Sequence, residues 1–122
     1  MNRDHTLVLL AHGSRAGEAS TEMGRLAADL ESAQPGLKVR GAFLSLGEPG
    51  LADALEGAIR EGSLHIEVLP LFLFSGKHVL EDIPNLFQNL QARYPEVRLA
   101  LLDPIGKHPG FARFLLDASG RA

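Results

Sequence analysis

Apolar runs of strand length alternate with segments of helical period four times along the chain. That alternation predicts a parallel sheet covered by helices. The first strand is expected from Thr6 to about His12. A helix follows, with Met23, Leu26, Ala27 and Leu30 at the i, i+3, i+4, i+7 spacing of one buried face. Gln34-Pro35-Gly36 stops it, and a second strand runs from Leu37 to Leu44. A second helix begins near Pro49, which suits a first-turn position, and buries Leu51, Ala54, Leu55, Ala58 and Ile59. The third strand spans about Leu64 to Pro70, where the missing N–H of proline should end the pairing. Asp82 is placed to cap a third helix carrying Ile83, Leu86, Phe87, Leu90 and Tyr94, with Pro84 in its first turn. A fourth strand, Val97 to Leu102, precedes a last helix that stacks Phe111, Phe114, Leu115 and Ala118.

The polarity of each strand also suggests where it lies. Leu7-Val8-Leu9-Leu10-Ala11 is apolar throughout, and the third strand nearly so apart from Glu67, as in strands covered on both faces. The second strand alternates Leu37, Val39, Gly41 and Phe43 with Lys38 and Arg40, which suits an edge. Right-handed crossovers then favour the order 2-1-3-4. The expected fold is a three-layer α/β domain, a four-stranded, mainly parallel sheet with helices on both faces. Its topological switch point lies between strands one and three, and open α/β sheets bind ligands there, beyond the strand carboxyl ends.

Composition narrows the function. The 122 residues suffice for one domain, and 45% hydrophobic with 22% charged residues is ordinary for a soluble globular protein. With no cysteine, disulfides, thiolate metal sites and cysteine nucleophiles are excluded, which fits a cytoplasmic protein. The apolar run from Leu7 to Ala11 is too short to span a membrane, so no membrane partner is expected. A net charge of −3 without a basic stripe leaves no footprint for nucleic acid. An anionic ligand would have to be met by a few local cations.

Candidate chemistry clusters after strands one and three, in His12-Gly13-Ser14-Arg15 and Phe74-Ser75-Gly76-Lys77-His78. The two histidines leave neighbouring strand ends and can converge across the switch-point crevice. Neutral imidazole is a good ligand for Fe²⁺, Co²⁺, Ni²⁺ and Zn²⁺, and it can also take a proton. Each has the alternative of an ordinary polar loop residue. Two imidazoles are too few for a closed structural site, so a metal held here would be in an open one. Gly13 and Gly76 allow close backbone approach to a flat ligand. Arg15 and Lys77, with Lys107 from the exit of strand four, can pair with carboxylates. Glu81 and Asp82 can orient His78 or supply an oxygen; their alternative is to favour the dipole at a helix start. His108 leaves strand four at the same sheet end, whereas His5 lies in a polar tail and His65 opens a strand with a surface role.

No G-x-S-x-G elbow or G-x-G-x-x-G is present. Gly76-Lys77 is followed by His78 where a P-loop requires Ser or Thr, so no nucleotide is expected.

Taken together, Leu10-Ala11-His12-Gly13-Ser14-Arg15, Ala42-Phe43-Leu44 before Glu48-Pro49, Pro70-Leu71-Phe72-Leu73 with Gly76 and His78, Asp82-Ile83-Pro84, and Pro104-Ile105-Gly106 with His108-Pro109 resemble the small, ATP-independent (class II) sirohydrochlorin chelatases of the CbiX/SirB type. The resemblance covers nearly the whole chain, as a single domain over 1–122. It implies a half-size chelatase that pairs as a homodimer around a sirohydrochlorin-type tetrapyrrole. It implies ATP-independent insertion of Co²⁺ or Fe²⁺, with Ni²⁺ a third option, in cobalamin or siroheme biosynthesis. The family's two metal-handling, catalytic histidines fall on His12 and His78. Gly13, Ser14, Arg15, Ser45, Gly76, Lys77 and His108 fall along the substrate cleft.

Many members carry a glutamate after the Phe-Leu pair, and here that position is Ser45. A hydroxyl is a poor metal ligand and a poor base at neutral pH. Glu48 lies three residues on, restricted by Pro49. The alternative is therefore a non-catalytic tetrapyrrole or metal binder, a carrier or sensor. A third reading, a hydrolase with His12 as base, requires Ser14 as its nucleophile.

Overall fold

The computed structural model describes residues 5–13, 17–74, 76 and 79–121. Four strands, β1 (His5–Gly13), β2 (Lys38–Leu46), β3 (His65–Pro70) and β4 (Arg98–Leu101), form one sheet in the order β2-β1-β3-β4, and every pair is parallel. Between them lie α1 (Glu18–Ala33), α2 (Leu51–Arg60) and α3 (Ile83–Arg93). A short 3₁₀ turn (Ile105–Lys107) and α4 (Phe111–Ala118) follow β4. The expected order holds because the two strands without alternation, β1 and β3, take the middle.

Alternate residues of the central strands feed two cores. Val8, Leu10, Ile66 and Val68 face α2 and α3 with Leu55, Ala58, Phe87 and Leu90. Leu9, Val39 and Phe43 face α1 with Met23, and Leu7 and Leu69 pack partly against them. Gly41 is required in this second layer, because a Cβ there would collide with the Met23 side chain. Thr6, buried in β1, is satisfied by Ser63 Oγ at 2.7 Å.

Several local expectations are corrected. Leu26 is 40% exposed, because α1 lies over β1 and β2 with Met23 as its anchor. Pro49 stands ahead of α2, whose N-cap is Gly50; the Glu48–Pro49 peptide is cis. The 47–50 loop folds back along the edge of β2, with Phe43 N–H donating to Pro49 O at 2.9 Å. Pairing of β1 with β3 includes Pro70 and extends one residue further, where Leu71 N–H donates to Leu10 O at 2.8 Å. Proline is tolerated there because pairing of β3 with β4 has already ended at Val68, so no ladder bond from residue 70 is lost. Asp82 occupies the N-cap position of α3, but its side chain makes no capping bond. In α4 the apolar stripe forms, yet Phe114 and Leu115 stay 59% and 51% exposed and only Phe111 is partly covered.

Candidate functional site

The carboxyl ends of β1 and β3 are adjacent, and the chain departs to opposite sides from them, which makes this the switch point of the sheet. His12 is exposed at the end of β1, followed by Gly13 with φ 109°, a conformation that favours glycine. Between Ala11↔Phe43 and Gly13↔Leu46 the register of β1 on β2 shifts, so β2 carries an extra residue opposite His12. Such an irregularity re-aims side chains at a strand end. Here it brings Ser45 Oγ to 3.3 Å from His12 Nδ1 and 3.4 Å from His12 O. On the other flank, Phe72, just past β3, meets the His12 ring edge-on with centroids 6.4 Å apart. His12 is thus framed by both neighbouring strand exits.

Beyond β3 the chain runs beside the 3₁₀ turn: Gly106 N–H donates to Phe72 O at 3.0 Å. A Cβ on Gly106 would strike the Leu73 backbone, so glycine is required by close approach. Next to this seam is a groove of about 330 Å³ lined by Gly76, Leu80, Leu102, Asp103, Pro104 and Lys107. It offers a glycine, an apolar wall and one ammonium, with the Asp103 carboxylate beside it.

Of the residues expected at the site, His12, Gly13 and Ser45 come together, and Gly76 and Lys107 share the adjoining groove. His78, Ser14, Arg15 and Lys77 lie outside the described residues. The nucleophile that the hydrolase reading needs, Ser14, is among them. Glu81 and Asp82 are exposed at the start of α3. His108 is engaged in its own loop, where Nδ1 accepts the Gly110 N–H at 2.9 Å. Glu48 borders a groove beneath α1 with Ser20, Met23 and Gly24.

The sequence of residues 6–122 matches the CbiX family model. This chain belongs to the CbiX family. It is 35% identical over 103 residues to the sirohydrochlorin ferrochelatase of Bacillus subtilis (strain 168), a match covering 82% of this chain and 38% of that protein. This CbiX-family chain thus spans well under half the length of that curated relative. Its fold is similar to that of a putative cobalamin biosynthesis CbiX protein from Marinobacter aquaeolei VT8, with TM-score 0.75, 30% identity, and 95% and 94% of the two chains covered. It is also similar to the sirohydrochlorin chelatase SirB from Bacillus subtilis subspecies spizizenii in complex with cobalt, with TM-score 0.76 and 26% identity. That match covers 98% of this chain and 50% of SirB. The two Bacillus relatives are named for the chelation of sirohydrochlorin, one of them with iron and one in complex with cobalt, and the four-stranded parallel α/β fold of this chain matches the SirB and CbiX structures.

One cluster escaped the sequence reading. His5 and His65, assigned to a polar tail and a surface strand start, meet each other and Glu67 at the opposite end of the sheet. The His65-x-Glu67 alternation was the available signal; the pairing of His5 with His65 is set by strand register.

Proposed function

We propose that this chain inserts Co²⁺ or Fe²⁺ into a sirohydrochlorin-type tetrapyrrole in the cytoplasm, without nucleotide, as a pair of half-length chains. The observation that carries the reading is His12, exposed at the switch point of a CbiX-family sheet and framed by Ser45 and Phe72. In this reading His12 and His78 hold the incoming ion through neutral imidazole nitrogens. Because two imidazoles do not close a coordination shell, the ion stays transferable. As it leaves, the same imidazoles can accept protons from the pyrrole nitrogens. Lys107, with Arg15 and Lys77, would pair with the macrocycle's carboxylates, while Gly13 and Gly76 let the ring approach the backbone. Ser14, His108, Glu81 and Asp82 complete the proposed surroundings, the last two by orienting His78. The protein's share of catalysis is positioning and bending of the ring.

The test is insertion of Co²⁺ or Fe²⁺ into sirohydrochlorin by the purified chain, read against metal alone. His12→Ala and His78→Ala should each lower the rate by roughly two orders of magnitude or more. A wild-type rate no higher than the metal-only control rejects the proposal.

A second reading, a tetrapyrrole or metal carrier, is favoured by one observation. The side chain nearest His12 Nδ1 on β2 is a hydroxyl, which neither ligates well nor takes a proton at neutral pH. It predicts binding of sirohydrochlorin or Co²⁺ without turnover.

A further inference from the structure

At the amino-terminal end of the sheet, roughly 23 Å along β1 from His12, a second set of metal-ligating side chains converges. His5 pairs with His65 in the β1–β3 register, and Glu67 follows His65 by two residues on the same face. The two imidazoles stack with centroids 4.6 Å apart and planes inclined by 21°. Glu67 Oε1 lies 2.7 Å from His5 Nε2, with side chains only 28% and 24% exposed. One donor atom from each of the three residues lies within 4.8 Å of the others. No hydrogen bond from a described residue occupies the ring nitrogens of His65, which leaves a lone pair for a ligand.

We infer that His5, His65 and Glu67 form a second divalent-metal site, for a borderline ion such as Zn²⁺, Co²⁺ or Ni²⁺. Two imidazoles and one carboxylate are the donor set such ions prefer over Mg²⁺ or Ca²⁺, which take oxygen ligands. Donors around one tetrahedral ion sit about 3.3 Å apart for bonds of about 2.0 Å, so the widest pair closes by at most about 1.5 Å through side-chain rotation. The ion would take the place of the His5–Glu67 hydrogen bond. Two of the three ligands, His5 and Glu67, also line a groove of about 560 Å³ with Leu7, Gln34, Pro35 and Leu37. All three ligands lie on the two central strands, so occupancy ties the start of β1 to that of β3. The site is separate from the switch point and does not depend on the chelatase reading.

The test uses the full chain with His12→Ala and His78→Ala together, which removes the imidazoles proposed for delivery. Titration with Co²⁺ should still show about one equivalent bound with visible absorption from nitrogen–oxygen ligation, and Zn²⁺ should raise Tm. Adding Glu67→Gln should weaken Co²⁺ binding at least tenfold and remove the Zn²⁺-dependent rise in Tm, and adding His65→Ala should abolish both. The inference fails if the double variant binds no Co²⁺, or if binding is unchanged by Glu67→Gln. Glu67→Gln, nearly isosteric, decides the matter if the His65 variant does not fold.

Discussion

At the scale of single residues, the chemistry depends on which side chain faces His12. Ser45 occupies that place because β2 gains a residue on β1 there. Replacing it with glutamate puts a carboxylate beside the imidazole, where it can ligate an ion or orient the ring. Ser45→Glu should tighten Co²⁺ binding at the switch point roughly tenfold. Under the chelatase reading it should also raise the insertion rate, as followed by the change in tetrapyrrole absorption. Gly106 is constrained differently, by the Leu73 backbone against it. Gly106→Ala should destabilise the chain by about 1–3 kcal/mol in urea unfolding, because backbone on both sides cannot yield as a side chain would.

At the scale of elements, α2 joins the sheet through an apolar face and an ionic end. Leu55 is fully buried in the core on the face of the sheet where α2 packs over β2 and β1, so Leu55→Ala should cost about 2–5 kcal/mol of unfolding free energy. At the end of α2, Glu61 accepts from Arg40 and, at 3.1 Å, from Lys38 of β2. The Arg40 guanidinium first, and the Lys38 ammonium second, hold the Glu61 carboxyl at about 2, below its ordinary 4.5. The folded value lies below the unfolded one, so this stabilisation is complete above about pH 4.5 and is lost as pH falls toward 2. Glu61→Gln should therefore make Tm fall less steeply across that window. The group is exposed, so the effect is small and shrinks further in high salt.

At the scale of the molecule, α4 and Phe74 keep large apolar side chains exposed among the described residues. Phe74 is 96% exposed, and Phe114, Leu115 and Leu116 line α4 at 59%, 51% and 45%. Under the proposed pairing of half-length chains, such a patch is what a second copy would cover. If the chains pair over it, Leu115→Glu should shift sedimentation from dimer to monomer while leaving the circular dichroism of the fold intact. A wild-type chain that sediments as a monomer at micromolar concentration would remove the paired reading.

Much of this architecture was legible in the order of residues. Uninterrupted apolar runs marked the central strands, alternation marked the β2 edge, and helical spacing picked out Met23, Leu55, Phe87 and Leu90 as core. These follow from burial, which acts position by position along a strand or helix and so leaves a periodic trace. The amphipathic stripe of α4 left the same trace, but periodicity does not say whether the covering surface lies in the same chain. His12, likewise, was marked by its place at a strand end. Its partner across β2, the close approach at Gly106 and the meeting of His5, His65 and Glu67 depend on register between strands distant in sequence. Register is an outcome of packing the whole sheet, and only the tertiary structure decides it.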